Sequence, residues 1–127
     1  MTQRTEIEHL LRGLYAARAG GNLEGVCQAF ADDVRFEIAG ASPASRMAIT
    51  AQGLAEARKW LTLLVKSFHI SDLAILGMII EDAKAAVQWR ASIRSRITGI
   101  AVATDLVDLV QVRNGRIAIY TEFFVPR

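Results

Sequence analysis

Two carboxylates stand where acid/base chemistry would need them, each inside a stretch of otherwise apolar residues. Asp108 lies in Leu106-Val107-Asp108-Leu109-Val110, and Glu122 lies in Tyr120-Thr121-Glu122-Phe123-Phe124. Between them, Asn114-Gly115 marks a tight hairpin. A loop of Arg113-Asn114-Gly115 with a bulge would set Val112 opposite Arg116 and Asp108 opposite Tyr120, with Glu122 diagonal to Asp108 on the same face. A loop of Asn114-Gly115 alone would set Asp108 opposite Thr121 and break the pairing. Two carboxylates on one face can split into an acid and a base near neutral pH. The plainer alternative makes Asp108 an outward carboxylate paired with an Arg of the neighbouring strand, and Glu122 half of an ion pair at a pocket rim. His69 is the third acid/base candidate, because an imidazole titrates in the right range; its alternative is a structural hydrogen bond.

Other reactive residue types carry less. His9 falls on the exposed side of the first helix. Neither histidine has a companion at metal-ligand spacing, so no metal is expected. Cys27 has no visible activating base and reads as a small buried hydrophobe. No glycine-rich phosphate loop follows a strand, and Gly20-Gly21 reads as a helix stop.

The elements that must position these groups can be read from periodicity. Thr5 and Glu8 have capping-box spacing, with Ile7, Leu10, Leu11 and Leu14 behind them at helical intervals. Asn22 caps a short second helix carrying Leu23, Val26 and Phe30. Val34 to Ile38 alternates as a strand, and residues 39–51 have loop composition, with Arg46 and Met47 as a candidate lid. A third helix buries Leu54, Ala57, Leu61, Leu64 and Val65. Four long strands follow: Phe68 to Ile80, Ala85 to Ile97, Ile100 to Val112 and Arg116 to Val125. Their short connections make them antiparallel neighbours. Trp89 shares an apolar face with Val87, Ala91 and Ile93; Arg90, Ser92, Arg94 and Arg96 form the other, with Asp105 as a possible partner. The fold class is α+β, with three helices covering one face of a curved antiparallel sheet.

Composition narrows the function classes. The 127 residues read as one domain spanning 1–127, and 52% hydrophobic content supports a full core. A net charge of +2 is too mild and too scattered for a nucleic-acid groove or an anionic membrane surface. One cysteine excludes an internal disulfide framework. The polar N-terminus lacks a signal peptide's apolar core, and the longest apolar run, Leu73 to Ile80, is too short to span a bilayer. A soluble, cytoplasmic protein is expected.

Four segments in order resemble the nuclear-transport-factor-2-like superfamily, in its ketosteroid isomerase and SnoaL-like polyketide cyclase branch. They are Asn22-Leu23-Glu24-Gly25-Val26 through Phe30-Ala31-Asp32-Asp33-Val34, Gln52-Gly53-Leu54-Ala55-Glu56-Ala57, Val107-Asp108-Leu109-Val110-Gln111-Val112, and Asn114-Gly115-Arg116-Ile117 with Glu122-Phe123-Phe124. The resemblance implies three N-terminal helices packed on a strongly curved antiparallel sheet, a cone-shaped α+β barrel. It places Asp108 and Glu122 inside the cone and His69 near its mouth. Trp60, Leu61, Trp89, Tyr120, Phe124, Leu14, Phe36 and Ile38 would then line the pocket. Against the ketosteroid isomerases, Leu14 matches the first-helix Tyr, with Tyr15 rotated about 100° from it. Ile38 matches the general base, with Glu37 on the opposite face of that strand. Only Asp108 retains its counterpart. Against the limonene-type epoxide hydrolases, Leu106 stands where an Arg would pair with Asp108. The polyketide cyclases ask for a single acid/base, which this chain can supply.

The resemblance therefore implies a cofactor-independent isomerase or cyclase acting on a small apolar, carbonyl-bearing molecule, with Asp108, Glu122 and His69 as candidate catalytic groups. The alternative is a non-catalytic ligand-binding or dimerising module. A homodimer through the outer sheet face is expected, with no nucleic-acid or membrane partner. A subunit that pairs with a larger enzyme would need an apolar outer face, and the Arg-rich row argues against it.

Overall fold

Helix α1, Gln3–Ala19, buries Ile7, Leu11, Leu14 and Tyr15, a stripe at helical spacing. The structure, a computed structural model, describes residues 3–42 and 45–126, with 40–42, 45–48 and 126 described by backbone alone. The helix is already under way at Gln3, so Thr5 sits inside it and not at its cap. It ends where expected, and Gly21 takes a φ of +65°, a left-handed turn that costs glycine little. Asn22 then caps α2, Leu23–Gln28, its side chain accepting from the Gly25 N–H at 3.0 Å.

Strand β1, Phe30–Ser42, is much longer than the alternating core at Val34 to Ile38 suggested. It pairs antiparallel with β2, Ser45–Gln52, so the expected loop over 39–51 is largely a hairpin. Small residues such as Gly40 and Ala41 read as loop by composition, yet a partner strand satisfies their backbone groups. The lid residues Arg46 and Met47 pair with Ala41 and Gly40; their side chains, and Pro43 at the tip, lie outside the described residues. Helix α3, Leu54–Ser67, buries Ala57 and Leu61 and leads into β3, Phe68–Glu81. The remaining strands are β4, Lys84–Ser95, β5, Ala101–Arg113, and β6, Arg116–Pro126.

The domain is α+β, three helices and one six-stranded sheet in the order β2-β1-β6-β5-β4-β3. Three expectations need correction. Only α1 and α2 precede the sheet, because α3 connects β2 to β3. The sheet is not wholly antiparallel: β1 and β6 run parallel, which the long excursion between them permits. And the sheet is open, with β2 and β3 as its two edges, so no barrel closes and the curl is weaker than a cone implies. The core occupies one sheet face, where β5 alternates buried Thr104, Leu106, Asp108 and Val110 with outward Val107 and Leu109. On the outer face Arg90 and Asp105 form the expected cross-strand pair, at 2.8 Å.

The β5–β6 register decides the site. Asn114 and Gly115 have φ of +54° and +76°, the two-residue type I′ turn. Val112 pairs with Ile117, but Gln111 pairs with Ile119, leaving Ala118 as an extra residue. That single bulge shifts everything beyond it, so Asp108 lies directly opposite Glu122. Neither expected register is the observed one: the short loop is present, and the bulge rejoins the two carboxylates that it would have separated.

Candidate functional site

Asp108 is fully buried, and three donors converge on its Oδ2. The Tyr15 hydroxyl lies at 2.5 Å, the Tyr120 hydroxyl at 2.6 Å and the Trp89 indole Nε1 at 2.9 Å. Its other oxygen, Oδ1, is buried with no hydrogen-bond partner among the described residues. Across the hairpin, Glu122 is 3% exposed and forms an ion pair with Arg18, whose Nη1 also donates to the Tyr120 hydroxyl at 3.0 Å. Tyr120 Oη is also within 2.9 Å of Glu122 Oε2. The Arg18 guanidinium lies over the Trp89 ring, 4.9 Å from its centroid.

Aromatic packing holds this network. Phe36 stacks on Tyr120 at 5.7 Å, Phe30 meets Tyr120 edge-on at 5.4 Å, and Tyr15 tilts against Trp89 at 5.3 Å. Tyr15 and Arg18 arrive together because they are three apart on α1, continuing the stripe of Ile7, Leu11 and Leu14.

The electrostatics separate the two carboxylates. Burial pushes the Asp108 carboxyl well above its ordinary range, the like charge of Glu122 adds to this, and Arg18 only partly offsets it. Burial acts on Glu122 in the same direction, but the Arg18 charge and hydrogen bonds outweigh it and hold that carboxyl below its ordinary value. Burial works against the Arg18 cation, yet Glu122 raises its pKa well above normal. Burial and Asp108 push both phenols up. These shifts favour a neutral carboxylic acid at Asp108 beside an ionised Glu122 paired with the Arg18 cation, with both tyrosines as phenols.

A cavity of about 410 Å³ opens beside this cluster, walled by apolar side chains including Leu61, Leu64, Ile93, Val102, Leu106 and Phe124. Arg18 and Glu122 border it, and Glu122 is the only carboxylate among its described lining residues. Of the expected pocket residues, Leu61, Phe124 and Ile38 border the cavity. Trp60 does not; it is half-buried against the core. Leu14, Phe36, Trp89 and Tyr120 are fully buried away from it, the last three within the aromatic and hydrogen-bonded packing just described. Asp108 lies one layer behind Glu122 and does not touch the cavity. His69 borders the opening but is exposed, and its register partner is Arg94 on the outward row. His9 is exposed, and Cys27 is buried, with burial raising its thiol pKa. Among the described residues, no three His, Cys, Asp or Glu side chains converge as metal ligands would.

Tyr15 and Arg18 are the members that sequence reasoning missed. The roughly 100° between Leu14 and Tyr15 does not turn Tyr15 away, because the buried stripe of α1 is wide enough for both. The signal was present in the spacing of Leu11, Tyr15 and Arg18.

Comparisons with known proteins agree with this architecture. A family model described as a SnoaL-like domain matches residues 11–120. A candidate isomerase from Bacillus subtilis is similar in structure, with a TM-score of 0.84 at 17% identity over 98% of this chain and 90% of that one. An LEH-like epoxide hydrolase from Mycobacterium tuberculosis gives 0.74 at 15% identity, over 95% and 84%. A protein with a ketosteroid isomerase-like fold from Catenulispora acidiphila, solved with trimethylamine, gives 0.71 at 14% identity, over 89% and 82%. At such identities the likeness is one of fold. No curated protein sequence matches.

Proposed function

This chain belongs to the SnoaL-like family, and from that premise we propose a cofactor-independent isomerase or cyclase of the ketosteroid isomerase-like branch of the nuclear-transport-factor-2-like superfamily, with Glu122 as its acid/base. The observation that carries this reading is the part-buried Arg18–Glu122 ion pair opening onto a largely apolar cavity. A cavity of about 410 Å³ suits a small molecule, and its apolar walls favour one with few polar groups. Glu122, kept ionised by Arg18, takes a proton from a carbon next to the ligand's carbonyl. The Arg18 charge stabilises the enolate that forms. Return of the proton to another carbon completes an isomerisation; attack of the enolate carbon on a second carbonyl closes a ring. Asp108 supports from behind and does not contact the ligand.

The test uses Trp60→Phe, which leaves Trp89, in contact with Arg18, as the only indole. Flat phenols, naphthols and steroid-like ketones are titrated while Trp89 fluorescence is followed, and bound compounds are then assayed for conversion. Saturable quenching with turnover that falls roughly 10²–10⁴-fold in Glu122→Gln supports catalysis. Quenching without conversion moves the protein to the alternative, a ligand-binding module. No quenching by any compound counts against the apolar, carbonyl-bearing ligand class.

We also propose self-association through the outer sheet face, favoured by the exposed Val107, Leu109, Phe123 and Val125 on adjacent strands β5 and β6. A single domain in the cytoplasm completes this reading.

A further inference from the structure

The contacts at Tyr120 are all hydrogen bonds when the two carboxyl groups hold a proton between them. Its phenol oxygen lies 2.6 Å from Asp108 Oδ2, 2.9 Å from Glu122 Oε2 and 3.0 Å from Arg18 Nη1. Arg18 can only donate. The phenol has one hydrogen, so it can donate to one carboxyl oxygen and accept from the other only where that one carries a hydrogen of its own. Asp108 is that acid at rest. Its Oδ1 has no partner, so the neutral acid, which leaves only a carbonyl oxygen there, is favoured over the carboxylate, whose charge is met at Oδ2 alone. Glu122 has Arg18 to balance its charge.

We propose that Tyr120 relays one proton between Asp108 and Glu122, making buried Asp108 the proton store for the carboxylate on the cavity. This rests on the reading of Glu122 as the acid/base group. In the transfer, the Asp108 Oδ2–H bond breaks as a new Tyr120 Oη–H bond forms. The original phenol O–H breaks as Glu122 Oε2–H forms. One carboxylate and one acid exist before and after, and no other reactant is needed. Both end states have donors in place. Ionised Glu122 is held by Arg18 and Tyr120; ionised Asp108 is held by Tyr15 at 2.5 Å, Trp89 at 2.9 Å and the reoriented Tyr120. Tyr15 and Arg18 from α1, Trp89 from β4, and Tyr120 and Glu122 from β6 are the groups facing Asp108. The relay explains why Tyr15, Trp89 and Tyr120 all converge on one oxygen of an aspartate that does not border the cavity. Unloaded, Glu122 is a base; loaded from Asp108, it is an acid.

The test is carboxyl carbon NMR on the ligand-free protein, with 3-fluorotyrosine as a second probe, because the chain has only two tyrosines and both belong to the cluster. With the relay, Asp108 reads as a neutral acid at neutral pH, and both carboxyl carbons move at the same pair of midpoints. Exchange of water for D₂O shifts both carbons, and Tyr120→Phe removes the part of the Glu122 shift that passes through the phenol. An equal isotope shift on Glu122 with and without the Tyr120 hydroxyl overturns the proposal, as does an Asp108 already ionised at neutral pH. If Tyr120→Phe does not fold, the labelled wild type decides: the Tyr120 fluorine signal must move at both midpoints, and a signal following only one overturns the relay. No ligand enters these measurements. A failed relay therefore leaves the cavity reading standing, and a cavity that binds nothing leaves the relay measurable.

Discussion

Asp108 is fully buried, and burial raises its pKa, which favours the form that a bound proton keeps neutral. This has a consequence for stability. Its native pKa is raised, so the folded protein holds a proton that the unfolded chain has already released. Stability therefore falls as pH rises from the ordinary carboxyl range toward the native value, by about 1.4 kcal/mol per pH unit. Glu122 has the opposite sign: its lowered pKa contributes stability above the ordinary carboxyl value, and this is lost as pH falls through the native pKa. The two windows meet only in the ordinary carboxyl range, at about pH 4. Asp108→Asn should flatten the dependence above about pH 5, up to the native value, while leaving the acid limb in place. Urea unfolding of both proteins across that range measures it, and a slope unchanged in the variant would show that Asp108 is not the group responsible. At this scale Asp108 and Glu122 could be picked out because charged residues in apolar strands are conspicuous. Tyr15 and Arg18 could not, since a tyrosine and an arginine near the end of a helix are ordinary until the sheet shows which way they point.

The hairpin of β5 and β6 and the helix α1 bring those residues together, and each holds a glycine with the opposite significance. Gly115 has a φ of +76° in the turn, where a side chain costs about 1–2 kcal/mol. Gly13 lies within α1, and a Cβ there would meet nothing within 4 Å. Gly115→Ala should destabilise by about that amount, and Gly13→Ala should stabilise by about 0.4–1 kcal/mol. Thermal unfolding of the pair checks both signs; equal shifts would mean that neither backbone conformation is as described. The turn was legible from Asn114-Gly115, and so were the long strands flanking it. The bulge at Ala118 was not, because an alanine in an apolar run carries no mark of being unpaired. β2 was missed for a related reason: its pairing with β1 depends on a partner strand, not on its own composition.

Over the whole molecule, the helices leave one sheet face uncovered. No helix of the described residues is long and apolar enough to cross a membrane. The exposed face carries Phe123 and Val107 as direct cross-strand neighbours, with Leu109 beside them. In the proposed dimer, a lysine at Phe123 would bury an unpaired charge in the interface but would sit in solvent on the monomer. Phe123→Lys should therefore raise the dimer dissociation constant at least about tenfold, with monomer stability changed by no more than about 0.5 kcal/mol. Sedimentation velocity over a concentration series reads this directly. Wild-type protein sedimenting as a monomer throughout would remove the proposal.

The sequence by itself determined the three helices, the core of β1, the order of the last four strands and the placement of two carboxylates in apolar surroundings, because those properties follow from local periodicity and turn chemistry. Only the tertiary structure decided that β1 joins β6 in parallel, that a single bulged residue brings Asp108 opposite Glu122, and that Tyr15 and Arg18 complete the cluster. It also decided which carboxylate meets the cavity. Asp108 and Glu122 occupy similar sequence surroundings, and the difference between them is one of depth: Arg18 reaches Glu122 at the cavity wall, while aromatic rings seal Asp108 behind it. Depth and partner charge are set by how distant segments pack, and no local pattern records them.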